Sequence, residues 1–161
     1  MKYFKTTLII FSLFFNCSYS IGQSFSLPEL IRMSKMSVDD FDTYVTSRGF
    51  VFKDADKEDH KDGVNYALNL NISNSKASKF IALYQRFFNY RYKISLQTLD
   101  KVEYINIKNQ IKTLGFKLYD SGIFTSDAGE VSNRFNYSKG KSEISIYASA
   151  TSFEINYGVK F

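Results

Sequence analysis

Histidine and cysteine, which often serve as the base or the nucleophile of an active site, are scarce in this chain. The sequence of 161 residues contains one histidine, His60, and one cysteine, Cys17. Hydrolases of the Ser-His-Asp or Cys-His kind need a base of near-neutral pKa beside the nucleophile. The chain also lacks a glycine-rich phosphate loop and the GxSxG and HExxH patterns. The sequence therefore predicts a protein that is not an enzyme and that carries no cofactor.

His60 lies in an acidic segment. Residues 54–63 read DADKEDHKDG and contain five acids. Their carboxylates do not fall at the positions of an EF-hand, lysines are interspersed, and a zinc site would need more nitrogen or sulfur ligands. We therefore expect no metal site and predict a solvated loop between two strands. The pattern leaves open whether residues 54–62 bind a cation.

A second group of carboxylates comprises Asp120, Asp127 and Glu130. Two carboxylates that flank the scissile bond are the arrangement that glycosidases use. The chain has no tryptophan, and no aromatic platform accompanies these acids in the sequence. We therefore interpret the three residues as acids in or beside a loop that we predict over residues 121–129, between two strands.

The first 23 residues have the three-part pattern of a secretory signal peptide. Two lysines precede an uncharged apolar run over residues 8–15, and small residues follow it. The run is too short to span a bilayer. We predict export to the periplasm or the cell exterior, with cleavage after Ser20 or after Gln23.

Cys17 lies inside this segment. It could be the lipid acceptor of a lipoprotein, but Asn16 stands where such signals place a small residue. If Cys17 is instead removed with the signal, the exported chain has no thiol and folds without disulfides. Beyond residue 23, no apolar run is long enough for a membrane helix.

The chain is weakly basic. Lysine and arginine number 21 against 16 acids, which gives +5; loss of the two lysines in residues 1–23 leaves 19 against 16, or +3. This is a mild bias toward anionic partners, without the clustered basic stripe that nucleic-acid binding requires. Together with predicted export, the charge argues against nucleic acid as a partner.

A helix closed by Gly-Phe and followed by a strand occurs twice in the sequence. The apolar positions before each glycine stay on one helical face, and a glycine at that place ends a helix in a left-handed conformation. We therefore predict a duplicated unit, with repeats at residues 24–98 and 99–161. The aligned positions are Val38, Phe41 and Val45 with Tyr104, Ile107 and Ile111, Gly49-Phe50 with Gly115-Phe116, and Asp54 with Asp120.

Capping residues and alternation predict the elements of each unit. Ser26, Ser37 and Asp100 are predicted N-caps, and Ser26–Glu29 and Asp100–Glu103 have capping-box spacing. Residues 79–88 are apolar on both parities, which fits either a central strand or a helix. The other predicted strands lie at 50–53, 65–71, 90–97, 116–120, 131–137, 143–148 and 152–161.

Alternation also sorts the strand residues into two faces. Polar and apolar residues alternate along each strand, so the apolar residues share one face of the sheet, which suits a core, and the polar residues share the other, which suits solvent. The residues predicted to face the helices are Tyr66, Leu68, Leu70, Tyr90, Tyr92, Ile94, Leu96, Asn133, Phe135, Tyr137, Ile144, Ile146, Ala148, Phe153, Ile155, Tyr157, Val159 and Phe161.

These elements predict an α+β protein. Two tandem α-β4 repeats would form an extended antiparallel sheet with helices packed on one face and the other face open. The element order and the doubled Gly-Phe step resemble the tandem helix-and-four-strand architecture of the β-lactamase inhibitor protein and its structural relatives, whose concave sheet face grips a partner. The resemblance implies a fold, whereas function depends on the site.

The open sheet face is the predicted binding surface. Arginine, tyrosine and asparagine on a rigid sheet offer large contact area and directional hydrogen bonds. We predict non-catalytic binding of a protein or a cell-envelope component; the sequence reveals neither which component nor the oligomeric state. The predicted binding residues are Asn69, Arg91, Lys93, Arg134, Asn136 and Tyr147, and Asn156 and Lys160 are placed on the same face.

Two alternatives remain. Residues 153–161 alternate and end in phenylalanine, which resembles the closing strand of an outer-membrane β-barrel, and eight strands make the smallest such barrel. Helix signals over residues 26–48 and 100–114, and strands shorter than about nine to eleven residues, argue against a barrel. The other alternative is a lipid-tethered structural factor of the envelope.

Overall fold

The computed structural model describes residues 24–58, 60–71, 73 and 76–161. The predicted leader and Cys17 lie outside these residues. No helix of the described part is long and apolar enough to cross a membrane. The helices are α1 (Leu27–Met33), α2 (Val38–Thr46) and α3 (Lys101–Thr113), and the strands are β1 (Val51–Glu58), β2 (Lys61–Leu68), β3 (Lys79–Phe87), β4 (Tyr90–Thr98), β5 (Lys117–Thr125), β6 (Val131–Lys139), β7 (Ser142–Ala148) and β8 (Phe153–Lys160).

The strands of the described residues form one antiparallel sheet in the order β1-β2-β3-β4-β8-β7-β6-β5. Each half of the chain supplies four consecutive strands, and the two halves join where β4 pairs with β8. β1 and β5 are therefore the two edges of the sheet. The predicted α+β class, with an extended antiparallel sheet and helices on one face, is confirmed.

The helices and one face of the sheet enclose the hydrophobic core. Leu27, Leu30 and Met33 of α1 are fully buried, as are Ile107 and Ile111 of α3. Alternate residues of the strands meet them, because successive side chains of a strand point to opposite faces. Most of the predicted inward set is confirmed by this core, whose sheet members are Tyr66, Leu68, Ile81, Leu83, Ile94, Leu96, Tyr137, Ile144, Ile146, Phe153, Ile155 and Tyr157.

The helices that precede the two edge strands both end at a glycine of positive φ. Gly49 follows α2 with φ 83°, and Gly115 follows α3 with φ 81°. Residues with a Cβ adopt this conformation at a cost, so glycine is the residue that lets the chain leave a helix and enter a strand here. The next residue, Phe50 or Phe116, is buried in each case. Both predicted Gly-Phe steps are confirmed.

The charged segment 54–63 is mostly strand, so the predicted loop is wrong. β1 continues to Glu58, which pairs with Lys61 at the start of β2. Side chains of an edge strand can stay solvated, so a run of charges does not prevent backbone pairing. The predicted loop after Asp120 is also wrong, because β5 continues to Thr125 and pairs with β6 over its whole length. The ambiguous residues 79–88 form a strand.

A bulge at the start of β4 changes the face of its first residue. The register shifts between Tyr90, which pairs with Lys160, and Tyr92. Arg91 is the extra residue, and a bulge of this kind redirects the side chain before it. Tyr90 consequently lines a cavity with Lys93 on the face opposite the helices. The prediction that Tyr90 faces the helices is wrong.

Three other predicted inward residues do not reach the core. β2 ends at Leu68, so Leu70 lies beyond the strand. Asn133 and Phe161 are exposed, because each lies near the end of its strand, where the helices do not cover it. All three residues fit the alternating pattern of the sequence, but this pattern does not show which part of the sheet the helices cover.

The two edges of the sheet differ in composition. β1 reads VFKDADKE and carries five charged residues among eight. β5 reads KLYDSGIFT and carries two among nine, while its Leu118, Tyr119, Ile123 and Phe124 are exposed. Charges on an edge strand oppose pairing with a strand of another chain. β1 is therefore protected against such pairing, and β5 is not.

Glu103 joins three parts of the helix-covered side. Asp100 caps α3 as predicted, accepting hydrogen bonds from the backbone N–H groups of Val102 and Glu103. The Glu103 carboxylate, however, does not complete the predicted capping box. It is 2% exposed, accepts the backbone N–H of Phe25 at 2.7 Å, and lies 2.9 and 2.8 Å from Lys79 Nζ through its two oxygens.

Replacing Glu103 by Gln is expected to lower the free energy of unfolding by about 3–5 kcal/mol, because the substitution removes the counter-charge of a buried lysine. The double variant Glu103→Leu, Lys79→Met removes both charges and is expected to lose much less. Denaturant unfolding of the two variants and the parent protein measures these differences. A single variant as stable as the parent would contradict the role assigned to the pair.

Candidate binding face

We call the sheet face opposite the helices the open face. Strand register places one residue of each strand in a single row across it. Seven of the eight members are polar, so a polar surface extends over the full width of the sheet. From β1 to β5 the row runs Asp54, Asn65, Ala82, Ser95, Asn156, Ser145, Asn136 and Asp120.

The two ends of this row have the same local structure. A register shift precedes Asp54 in β1 and Asp120 in β5. Each aspartate then accepts a hydrogen bond from an asparagine Nδ2 of the neighbouring strand, from Asn65 in one half and from Asn136 at 2.8 Å in the other. Each bulge thus turns a carboxylate of an edge strand onto the open face.

Charged groups near the margins of the open face are paired. Lys61 lies 2.9 Å from Asp56, Arg134 lies 2.9 Å from Asp120, and Lys160 lies 2.6 Å from Glu143. Exposed pairs of this kind contribute little to stability, about 0–1 kcal/mol each. These ion pairs do neutralise the charges near the margins, so the open face is neither uniformly positive nor uniformly negative.

Lys93, near the centre of the face, differs from these residues. Its ammonium lies 3.9 Å from the centroid of the Phe87 ring and 5.8 Å from that of Tyr84. Burial lowers the pKa of Lys93, and Glu154 opposes this effect only in part. No carboxylate of the described residues lies within ion-pair distance of it. Cation–π contacts with the two rings therefore stabilise the ammonium, but less strongly than water would.

Asn156, in the neighbouring strand, has a side-chain oxygen that accepts no hydrogen bond from the described residues. The residue is 8% exposed, and its Nδ2 donates to Glu154 Oε1 at 2.7 Å. Its Oδ1 is buried and has no hydrogen-bond donor among the described residues. A buried acceptor left unpaired costs about 1–3 kcal/mol. The centre of the open face therefore holds a cation without a paired carboxylate and a buried acceptor without a donor among the described residues.

Tyr90 closes one side of this centre. Its ring lies over Gly158, where an added Cβ would come within 2.5 Å of a ring carbon. The hydroxyl donates to Glu143 Oε2 at 2.8 Å, and burial together with this bond raises the pKa of Tyr90. Burial alone would raise the pKa of Glu143, but hydrogen bonds from Lys160 and Tyr90 lower it on balance.

Three depressions open on this face, with volumes of about 290, 450 and 210 Å³. The first and third share Lys93, Tyr147 and Asn156, and the first and second share Gln97 and Glu154. These shared residues come from β4, β7 and β8. The concave part of the face is therefore built where the two halves of the chain meet.

The predicted binding residues are only partly brought together. Lys93 and Tyr147 line the central depressions, and Arg134 and Asn136 lie toward β5, where both donate to Asp120. Asn69 lies in the turn after β2, with φ 55°. Its Nδ2 donates to Ser78 Oγ.

The prediction that Arg91 lies on the open face is wrong. The β4 bulge turns it toward the helix side, where it lines a depression with Ser34, Lys35 and Met36. A bulge is fixed by the pairing of two strands that are distant in sequence, so strict alternation along β4 alone could not have shown this.

Glu154 and Phe124 were missed as contributors to the face. Glu154 could have been found, because the alternation that assigns Phe153 and Ile155 to the core assigns Glu154 to the opposite side. Phe124 could not, because residues 121–129 were predicted to be a loop. In the structure Phe124 packs edge-to-face on Tyr147 with ring centroids 5.0 Å apart.

The structure does not assemble the carboxylates or His60 into a reactive group. Asp120 pairs with Asn136, whereas Glu130 precedes β6 at the other end of the same hairpin, six residues from Asn136 or about 20 Å away at 3.3 Å per residue. His60 lies in the turn between β1 and β2, next to the Phe88 ring. Among the described residues, no three His, Cys, Asp or Glu side chains are placed to hold a metal ion.

No protein-family model, curated protein or solved structure matches this chain. The comparisons therefore add no support to the expected resemblance to the β-lactamase inhibitor protein. Any functional conclusion has to come from the open face itself.

The pKa of Lys93 is expected to lie below the value of about 10.4 for a solvated lysine, because its surroundings disfavour the charged form. A ¹³C NMR titration of the lysine Cε resonances, with Lys93 assigned through the Lys93→Arg variant, measures it. A Lys93 resonance that titrates together with those of exposed lysines would show that the ammonium is solvated, contrary to its position against Phe87.

Proposed function

We propose that the chain is an exported, non-catalytic binding module that recognises a protein or a cell-envelope component through its open face. The observation that supports this most strongly is the Lys93 ammonium at the centre, which lies against the Phe87 ring with no carboxylate of the described residues within ion-pair distance. Partial burial of a charge without a paired counter-charge disfavours the charged form. A bound molecule would supply an acceptor for this ammonium.

The contrast with the margins adds to this argument. An ordinary solvated sheet face leaves its charges in water, where they need no partner. On the open face, the marginal charges form ion pairs within the chain, whereas the recessed Lys93 has no carboxylate of the described residues within ion-pair distance. Interfaces place their strongest contacts at such recessed central positions.

The internal repeat, as a further part of the proposal, explains where the binding centre lies. The two halves share the Gly-Phe step, a bulge before an aspartate and an Asp–Asn hydrogen bond. Lys93 and Gln97 come from the first proposed repeat, and Glu154 and Asn156 from the second. Binding would then require both repeats, although each has its own helix and four strands.

Export through residues 1–23 completes the proposal. The described part of the chain, 24–161 with its gaps, contains no cysteine. Its compactness therefore rests on the core and the buried ion pair. A module of this kind suits a compartment outside the cytoplasm, where its partner would be an envelope component or a protein displayed there.

A photo-crosslinking amino acid at Gln97, on the open face, is expected to capture a partner in the cells that produce the protein. The same amino acid at Ile105, exposed on α3, serves as the matched control. Adducts resolved by gel and mass spectrometry should form at position 97 and not at 105. Adducts confined to position 105 would contradict the proposal.

Adding Lys93→Met to the position 97 protein is expected to reduce adduct formation about tenfold, since a charge-assisted hydrogen bond contributes about 1.5–3 kcal/mol. Lys57→Met, on the β1 edge, removes the same charge away from the centre and should leave the yield unchanged. Equal yields from the two variants would show that Lys93 takes no part in binding. Thermal unfolding of both variants checks that the fold is retained.

A further inference from the structure

Strand order brings three basic segments together at one end of the sheet. The β3–β4 turn, the end of β8 and the β6–β7 turn lie side by side, because Tyr90 pairs with Lys160 and Ser142 pairs with Val159. We call residues 85–92, 138–143 and 158–161 the cationic rim. It extends from β3 to β6, or about 19 Å at about 4.8 Å per strand. Its charged residues are Arg86, Arg91, Lys139, Lys141 and Lys160, with Glu143 as the one acid.

Most of the charge of the cationic rim is not neutralised within the chain. Lys160 forms an ion pair with Glu143 at 2.6 Å. The other four cations are exposed, and no carboxylate of the described residues lies within ion-pair distance of them. The neighbouring β1–β2 turn carries both signs of charge, so the excess of cations is confined to the rim.

The opposite ends of the same strands carry no such excess of cations. The protein is therefore electrically polar along the strand direction. An anionic surface would attract the cationic rim and would orient the protein before contact. The exposed charged residues at the opposite ends are Asp100, Asp127, Glu130, Lys76 and Lys101.

Phe88, at the tip of the β3–β4 turn, is unusual for its position. Phe87 pairs with Tyr90, so Phe88 and Asn89 form a two-residue turn, in which Phe88 has φ 51°. Glycine is the usual residue at such a position, and a bulky side chain is strained there. Because Phe88 is 59% exposed, burial of its ring offsets little of this strain. Strain of this kind is concentrated at functional sites.

Phe161 adds a second exposed aromatic ring to the cationic rim. It is 67% exposed and follows Lys160, which pairs with Tyr90 beside the β3–β4 turn. Exposed apolar side chains among charged ones mark surfaces that contact a protein or a membrane. At a bilayer surface, cations attract anionic headgroups while apolar rings insert among them, so the two kinds of group act together.

We propose that the cationic rim docks the protein on a bilayer that contains anionic phospholipids. Arg86, Arg91 and Lys141 contact lipid phosphates, and the Phe88 ring inserts at the level of the headgroups. The phosphates of a bilayer are spread over a surface, as the cations of the rim are, whereas one small anion could contact only a few of them. The open face stays uncovered in this orientation, so docking goes beyond the proposed function and does not depend on it.

Co-sedimentation of the full chain with lipid vesicles tests the docking. Vesicles of phosphatidylcholine with about 30% phosphatidylglycerol are expected to bind at least about tenfold more tightly than phosphatidylcholine alone, and about 0.5 M salt should weaken this binding. Equal binding to both kinds of vesicle, or binding to neither, overturns the proposal. All variants keep residues 1–23, so differences among them do not arise from the predicted leader.

Two double variants locate the charge contact. Arg86→Gln with Lys141→Gln is expected to bind anionic vesicles about 25-fold more weakly, since each cation near an anionic surface contributes about fivefold. Lys76→Gln with Lys101→Gln removes the same charge at the opposite ends of the strands and should bind as the parent does. Equal binding by the two double variants overturns the cationic rim as the docking site. Thermal unfolding checks that both retain the fold.

A single tryptophan can report insertion, because the chain contains none. The emission of Phe88→Trp is expected to move to shorter wavelength with anionic vesicles and to be quenched by brominated lipids, because the ring leaves water. Leu99→Trp is the matched control, since Leu99 is 56% exposed at the opposite ends of the strands. Responses at both positions, at position 99 alone or at neither overturn the proposed orientation.

Phe88→Gly separates insertion from simple attraction of charge. Glycine adopts a positive φ without steric cost, so the turn is expected to form, while vesicle binding falls about tenfold with the loss of the ring. Parent-like vesicle binding by this variant, with equal retention of both proteins on heparin, would show that any polyanion suffices and would overturn the lipid bilayer as the partner. Crosslinks from position 97 without vesicle binding would retain the open face and reject the docking.

Discussion

The structure depends on the pairing of β4 with β8. Each half of the chain could form a four-stranded meander alone, but each meander would then expose one more bare edge. Pairing the two last strands joins them into one sheet, with Ile94 opposite Tyr157 and Leu96 opposite Ile155 on the helix side. The residues that join the two parts of the core therefore also fix the position of one half of the sheet relative to the other.

This junction also produces the site. Because side chains alternate along a strand, the pairing that buries Leu96 and Ile155 places Gln97 and Glu154 directly opposite each other on the other face. Lys93 lies opposite Gly158, whose missing side chain leaves room for the Tyr90 ring. Strand register and one glycine therefore shape the centre of the open face, and residues of the β5–β6 and β7–β8 connections complete the first depression.

The sequence predicted the fold well where a local rule decides the structure. Periodicity and capping located the three helices of the described residues, and Gly49 and Gly115 marked where two of them end. Alternation identified most of the core. Alternation gave the wrong face for Tyr90 and Arg91, because the face of each depends on a bulge that forms when two distant strands pair. Composition gave the wrong structure for the charged segment after Asp54, because a run of charges suggested a loop.

The site was less predictable for the same reason. Lys93 and Tyr147 were identified because they lie on polar positions of regular strands. The unmet state of Asn156 Oδ1 could not be predicted, since it depends on which side chains of three strands come within reach. The role of Glu103 was hidden as well, because its position at the start of α3 fits a local cap equally well.

The unequal edges of the sheet set a limit on self-assembly. A sheet with two bare edges can add copies at both sides, so growth has no end and leads to fibres. In this chain the charges of β1 block one side, and only the apolar β5 can accept another strand. Two copies that meet through β5 use up each other's receptive edge, so edge pairing closes at a dimer instead of propagating.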